Sequence, residues 1–317
     1  MLKLNHLTGF GSGVSAAGAS LPVNGYLAGG RNGTRTTIMD KLVFATSVTA
    51  VDTDATLSEE RDGMGVSSET QTHGYWSGGH PDPAVDEDSI MKTTFATPVT
   101  AAITDVMSTA RNAMHGFSAG ISHGYFVGGH STGDSDIVDK ITHATDAVAV
   151  NTDATLTKER TKPGCTSDSG LGIGYTAGGG TADTVIDKTV HSTDVTTSIT
   201  DVHTYGGEGK GSHSDTTISA YWTSTNGNTT TNKMSYATNS VSAVTDADSS
   251  ISRQDGSGVG DGGTAGFGYY ISGGITAAIS TDRLTHATDT AAAHTDADRT
   301  NTGFPNQGRS MADFSVT

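Results

Sequence analysis

The stretch Gly124-Tyr125-Phe126-Val127-Gly128-Gly129 decides the fold, because it is one copy of a module that returns along the chain. The other copies are Gly25-Tyr26-Leu27-Ala28-Gly29-Gly30, Gly74-Tyr75-Trp76-Ser77-Gly78-Gly79, Gly174-Tyr175-Thr176-Ala177-Gly178-Gly179, Ala220-Tyr221-Trp222-Thr223-Ser224-Thr225 and Tyr269-Tyr270-Ile271-Ser272-Gly273-Gly274. Aligned on Tyr26, Tyr75, Tyr125, Tyr175, Tyr221 and Tyr270, they are separated by 49, 50, 50, 46 and 49 residues. A fixed period of about 50 residues marks an array of supersecondary units, each burying its apolar face against its neighbours. One array is one cooperative body, so residues 1–317 are expected to form a single domain of six full repeats, about 49 residues each, plus terminal closure strands.

Each repeat divides into four short segments. The first opens at an arginine: Arg61, Arg111, Arg160 or Arg253. The second is the Gly-Tyr module. The third is Asp40 to Thr46 and its relatives at Lys92 to Thr97, Asp139 to Thr145, Asp187 to Thr193, Asn232 to Thr238 and Asp282 to Thr288. The fourth ends at a Thr-Asp pair, always eight residues after the last Thr of the third segment, from Thr46–Asp54 to Thr288–Asp296. Six identical steps imply one repeated hairpin geometry. The segments are short, alternate in character and are bounded by Gly, Asp, Asn and Ser, which predicts strands. Phe44, Phe95, His143, His191, Tyr236 and His286 place a planar ring at one spot in every third strand, and blade-to-blade packing accounts for that recurrence better than chemistry does. The repeated terminal Asp suits a turn, where its carboxylate accepts nearby backbone N–H groups.

Four short strands per repeat, with Gly-Gly after an aromatic, predict an all-β propeller of four-stranded blades. On Tyr75 with Gly78-Gly79, the ring at Phe95 and the opening Arg111, the chain resembles the Kelch-repeat family over about residues 9–305. It departs from that family in three ways. The usual fourth-strand tryptophan is replaced by Val, Ala or Thr, repeat five carries Ser224-Thr225 in place of Gly-Gly, and Tyr205 to Lys210 holds no opening arginine. The ends suggest how the ring closes. Lys3 to Thr8 reads as a third strand, while Arg299 to Phe304 and Ala312 to Val316 read as a first and a second. A composite seventh blade is the favoured expectation, and a six-bladed ring is the alternative.

Composition bounds the function. Net charge is −16 and there is no basic stripe, so nucleic acid is not an expected partner. The single cysteine, Cys165, excludes an intrachain disulfide and a cysteine-based zinc site. No apolar run approaches the ~18 residues of a membrane span, and Met1 to His6 lacks the apolar core of a cleaved signal peptide. Synthesis in a cytoplasm without membrane insertion is the expectation.

Scaffold positions hold from repeat to repeat, whereas the loop between the second and third strands varies. These loops emerge on one face of a propeller, where recognition is usually placed. The candidate binding residues are Arg31, Asn32, Arg35, His80, Asp82, Asp86, His130, Asp134, Asp136, Asn226 and Asn228, with Trp76 and Trp222 as surface aromatics for a carbohydrate. The acidic run Asp82, Asp86, Glu87, Asp88 does not fit the EF-hand spacing, and His73, His80, His123 and His130 recur by repeat position without forming an i, i+4 pair. No metal, cofactor or catalytic residue is therefore assigned. Kelch-like propellers include copper oxidases and sugar-active enzymes. Cys165 has no associated Tyr–His constellation, and the repeated arginines look structural.

The Thr-, Ser-, Gly- and Ala-rich texture is similar to that of tailed-phage virion proteins. That resemblance implies a non-catalytic tail, fibre or capsid-decorating component in a symmetric assembly, with other virion proteins and a host-surface glycan or protein as partners. A lectin-like propeller and a Kelch-like sugar-active enzyme are the alternatives.

Overall fold

The computed structural model describes residues 24–300 and 309–312, apart from 33, 70–71, 82–84, 169–171, 181–182, 205, 216–217, 224–227, 253–254, 262–265 and 272–278. Six four-stranded antiparallel sheets are arranged as the blades of a propeller. We letter the strands a to d from the channel outward. Blade 2 is Gly65–Glu69, His73–Ser77, Ser89–Thr94 and Val99–Val106, and blade 3 is His115–Ala119, His123–Val127, Val138–Thr142 and Ala147–Val150. Blade 4 is Gly164–Asp168, Ile173–Ala177, Ile186–Val190 and Val195–Ser198. Blade 5 is Ser212–Asp215, Ser219–Thr223, Thr231–Ser235 and Val241–Ala243, and blade 6 is Ser257–Gly260, Phe267–Ile271, Thr281–Thr285 and Thr290–Ala293.

Blade 1 closes the ring. Its strands b, c and d are Asn24–Ala28, Met39–Val43 and Val48–Val51, and its strand a is Arg309–Ala312 from the far end of the chain. Met311 stands opposite Tyr26. The ring therefore has six blades, as in the alternative, and the favoured seventh does not form. The strand Arg309–Ala312, which lies between the two stretches expected to start another blade, completes the first Gly-Tyr module, which has no preceding strand of its own among the described residues. Residues 301–304 and 313–316 of those stretches lie outside the described residues. Lys3 to Thr8, the expected third strand of the extra blade, lies outside the described residues.

Every blade interface carries the same aromatic contact. The module tyrosine of one blade stacks on the third-strand ring of the next. Ring centroids are 4.8 Å apart for Tyr26–Phe95, 5.2 Å for Tyr75–His143, 5.4 Å for Tyr125–His191, 5.3 Å for Tyr175–Tyr236, 5.3 Å for Tyr221–His286 and 5.9 Å for Tyr269–Phe44. The expectation that the recurrent rings pack blade against blade holds at all six interfaces. The sixth also corrects the alignment. Tyr269 faces Arg283 as Tyr221 faces Lys233 and Tyr125 faces Lys140, so Tyr269, not Tyr270, is the module tyrosine.

The tyrosine hydroxyls complete each joint. Tyr75 Oη donates to Asp146 (2.8 Å), Tyr125 to Asp194 (2.7 Å), Tyr175 to Asn239 (3.0 Å) and Tyr221 to Asp289 (2.7 Å), and Tyr269 bonds Ser47 Oγ (2.7 Å). These partners occupy the last position of the c–d turn. All five adopt positive φ, from 52° to 57°, a conformation that Asn, Asp and small polar residues tolerate best. The strand-c lysine joins the same acceptor, with Lys92 Nζ 2.9 Å from Asp146 and Lys140 Nζ 2.7 Å from Asp194. Burial opposes ionisation of Asp194, but the hydrogen bonds from Lys140 and Tyr125 outweigh it and hold the carboxyl below its usual range.

The residue before each module tyrosine is small, Gly in five blades and Ala220 in blade 5, because the preceding blade fills its space. A Cβ on Gly174 would lie 2.2 Å from the Phe117 ring, and one on Gly268 would lie 2.1 Å from His213. The Gly-Gly pair has a different constraint. Gly78 and Gly79 have φ of 55° and 94°, and added Cβ atoms would meet the carbonyl oxygens of Arg111 and Asp62, each at 2.5 Å.

These glycines belong to a second ring of contacts, made by the opening arginines. Arg111 donates to Gly128 O and Ile137 O, both at 2.9 Å, and pairs with Asp139. Arg160 repeats the pattern on Gly178 O (3.2 Å), Val185 O (3.0 Å) and Asp187 (2.8 Å). Arg299 does so across the closure, on Gly29 O (3.1 Å) and Asp40 (3.0 Å). It is an opening arginine, as expected, but it opens blade 1. All three guanidinium groups are buried. Blade 5 has no such arginine, and its strand-c residue is the neutral Asn232 where its neighbours carry Asp187 and Asp282. Losing the cation without the anion would leave a buried unpaired carboxylate.

Two outcomes follow from these joints. Arg111→Ala is expected to destabilise the protein by about 3–5 kcal/mol, because it strands Asp139. Adding Asp139→Asn should recover part of that loss in the urea-unfolding midpoint, and no recovery would show that the carboxylate is not what makes the loss costly. The second concerns acid. Burial pushes His143, His191 and His286 down to about 4. The unfolded chain takes up these protons near pH 6.5 and the folded one only near 4, so stability is fully present above about 6.5 and falls as pH drops through that window. Replacing all three by Phe, the residue at the equivalent positions of blades 1 and 2, should make stability between pH 7 and 4.5 less pH-dependent than in the wild type.

Candidate functional site at the loop face

Strand b ends at the Gly-Gly pair, so the b–c loops and the arginine-bearing d-to-a connections share one face. They are zipped together residue by residue. His80 pairs with Asp62 and His130 with Asn112 as isolated antiparallel bridges, and Gly180 N donates to Thr161 O (2.7 Å). In blades 2 to 4 the residue after the opening arginine thus meets the residue after Gly-Gly. This is why His80 and His130 recur at one position of the repeat.

Over blades 1 to 3 the loops form one polar network. Asp62 is almost fully buried and receives Arg35 Nε at 3.2 Å, Arg31 Nε at 3.5 Å and His80 Nδ1 at 3.9 Å. His80 Nε2 lies 2.7 Å from Asp86, whose carboxylate also accepts from Asn112 Nδ2 at 2.6 Å. Arg31–Asn32 and Thr34–Arg35 form a small two-stranded ribbon that presents the two arginines to Asp62. Arg31 stays half exposed, whereas Arg35 is buried. Five expected residues, Arg31, Arg35, His80, Asp86 and, through its backbone, His130, are therefore brought into one patch.

Asp134 is exposed and bridges His130 at the edge of this patch, whereas Asp136 is half-buried on blade 3 and Asn228 is half-buried on blade 5. Asp82, Asn226 and the side chain of Asn32 lie outside the described residues. Trp76 and Trp222 are wholly buried, and Trp76 Nε1 donates to Thr93 Oγ1 at 3.0 Å. They are core residues and cannot serve as the surface aromatics of the carbohydrate reading. Their strand position points into the sheet-to-sheet interior, which the alternation of strand b already encodes.

The channel is narrow. Strands a line a cavity of about 70 Å³ with Ser67, Ser118, Thr166, Ser214 and Gly258 among its walls, the space of a few waters. At its mouth Lys162 of blade 4 reaches Asp255 before blade 6 at 3.0 Å and Glu208 between them at 3.3 Å. Lys162 and Asp255 both hold positive φ, near 50° and 58°. Beside blade 4, Lys210 is buried, and that burial, partly offset by Asp183, pushes it down to about 8. Sequence reading missed Asp62, Asn112, Lys162 and Lys210. The first three stand one or two residues after an opening arginine, where the repeats differ from one another, and that variation was the available signal.

The repeated Asp at the end of strand d also acts at longer range than expected. Asp105 accepts Val148 N–H at 3.0 Å and Asp201 accepts Val241 N–H at 3.0 Å, each on the outer strand of the following blade. No group of three or more His, Cys, Asp or Glu side chains placed to hold a metal ion occurs among the described residues. No helix among them is long and apolar enough to cross a membrane. No protein-family model matches the chain, and no curated protein matches it either.

Asp62 is the hub of the patch. Asp62→Ala would leave Arg35 buried without this carboxylate and should cost about 3–5 kcal/mol, whereas His130→Ala, at an exposed site, should change stability by less than about 0.5 kcal/mol. Urea unfolding of the two variants checks the contrast.

Proposed function

We propose that this chain is a non-catalytic structural and recognition propeller, a tailed-phage virion component of the tail, fibre or capsid-decorating kind. Its loop face binds protein or a host surface. One observation carries the reading. The residues that repeat are consumed in holding blade to blade, while the residues that differ between blades lie together on the face where the b–c loops emerge. A rigid ring presenting blade-specific loops is a device for recognition, because the scaffold fixes the geometry and the loops supply the chemistry. The Thr-, Ser-, Gly- and Ala-rich texture supports the virion part of the reading.

The loop face is preferred to the channel because the Lys162–Glu208–Asp255 cluster occupies the channel mouth and the cavity behind it is small. It is preferred to a lectin platform because Trp76 and Trp222 are buried. The test replaces loop residues 80–88 of blade 2 with the shorter loop of blade 4. Purified particles should contain the wild-type chain and lack the loop-swapped one, with both chains showing a single cooperative urea transition that confirms each is folded under the assembly conditions. Absence of the wild-type chain from particles, or equal incorporation of the swapped chain, would overturn the proposal.

A further inference from the structure

Blade 5 departs from its neighbours in more than the missing arginine. Gly207 holds that arginine's place, since Gly207 O accepts Gly179 N–H as Arg111 O accepts Gly79 N–H and Arg160 O accepts Gly129 N–H. Three further changes fall around the same corner, between blades 4 and 5. Asn232 stands for the strand-c aspartates of blades 3 and 4. His203 takes the place of Met107 and Leu156, each of which donates its N–H to the connection before strand c of its own blade. Lys210 takes the place of Met114. Its Cε would lie 2.2 Å from a Cβ on Gly178, as Met114 Cε would lie 2.6 Å from one on Gly78.

His203, Trp222, Asn232 and Lys210 are each no more than 1% exposed. The His203 and Trp222 rings meet edge to face with centroids 5.0 Å apart, and Trp222 stands opposite Asn232 across strands b and c. Asn232 Oδ1 accepts Thr204 N–H at 3.1 Å, which leaves Nδ2 as the donor end of the amide. Yet Trp222 Nε1, Asn232 Nδ2 and both ring nitrogens of His203 meet no hydrogen-bond partner among the described residues. Trp76, at the equivalent place in blade 2, donates to Thr93, where blade 5 has Met234. Buried donors are costly to leave unmet, so this corner suits a guest that accepts.

The sign of the guest follows from its neighbours. Indole and amide nitrogens only donate, and burial beside Lys210 and Arg160 pushes His203 well below its usual value, so the neutral ring adds one more N–H. The nearest carboxylates do not reach these donors. Asp187 pairs with Arg160 at 2.8 Å, and Asp183 lies 3.4 Å from Lys158 and 3.6 Å from Arg160. We propose that this corner binds one small monovalent anion of the chloride kind, held by Trp222 Nε1, Asn232 Nδ2 and a ring N–H of His203, with Lys210 alongside. The anion stands where a strand-c carboxylate stands in blades 3 and 4, and it ties the connection leaving blade 4 to the sheet of blade 5. The site is internal and independent of what the loop face binds.

Urea unfolding of the full chain in sodium chloride tests it, with sodium gluconate holding ionic strength constant. A ligand of the folded state alone stabilises it in proportion to occupancy, so the midpoint should shift upward as chloride replaces gluconate. His203→Met with Lys210→Met, both residues taken from the junction of blades 2 and 3, should abolish that shift while keeping a cooperative transition. A wild-type crystal grown in bromide should show the halide's anomalous peak within hydrogen-bond reach of Trp222 Nε1, a readout that needs no variant. A midpoint unmoved by chloride, a shift that persists in the double variant, or water alone at the three donors of the bromide crystal would each overturn the proposal.

Discussion

The structure depends on one contact, made six times: a tyrosine from the second strand of one blade stacked on a planar ring from the third strand of the next. Aromatic pairs of this kind contribute about 0.5–1.5 kcal/mol each beyond the area they bury. What distinguishes them here is position. Each pair spans two blades, so none can form until both sheets exist, and the sixth, Tyr269 on Phe44, forms only when the chain's two ends meet. The ring residue can be Phe, Tyr or neutral His because stacking needs a flat face and tolerates different edges. The hydroxyl needs a hydrogen-bond partner, and the left-handed corner of the next c–d turn supplies it at five interfaces as Asp, Asn or Ser.

A second constraint acts on the opposite face. The opening arginines bind the Gly-Gly carbonyl of their own blade, and their backbone carbonyls receive the second glycine N–H of the preceding blade, as Arg111 O does from Gly79 N at 2.8 Å. Blades 1 to 4 are thus held at both ends of the second strand, by tyrosine below and by the second glycine above, where Gly30, Gly79, Gly129 and Gly179 donate to the next connection. Within this second ring of contacts the repeats differ where one partner can be lost without stranding the other. Blade 5 drops the arginine and neutralises the aspartate together. Blade 2 keeps Arg61 but carries Met91 at the aspartate position, and Arg61 turns to Glu59 at 2.6 Å and to Ser89 instead.

Much of this was legible in the sequence because the scaffold residues repeat. Period, strand count, the Gly-Tyr module, the ring position and the opening arginines all come from comparing the chain with itself. Three features were not legible. Tyr270 aligned better than Tyr269 because two tyrosines are adjacent and the glycine pair was used as the anchor, and only strand pairing shows which ring faces outward to the next blade. Blade number was ambiguous because one unpaired strand at the C-terminus fits either an extra blade or the first blade's missing place, and the choice rests on which edge Tyr26 offers. Trp76 and Trp222 read as surface aromatics because loop residues follow them closely, yet their strand position turns them inward. The loop-face network was partly legible. His80 and Asp86 share one loop, but Asp62 lies on the d-to-a connection, which only the closed fold brings alongside.

The central claim is that blade-to-blade stacking of the module tyrosine closes the ring, and the sixth interface tests it most directly. A double-mutant cycle of Tyr269→Leu with Phe44→Leu, read from unfolding free energies, should give a coupling of about 0.5–1.5 kcal/mol, while Tyr270→Leu with Phe44→Leu should give almost none. Coupling to Tyr270 instead, or none to either tyrosine, would contradict the account.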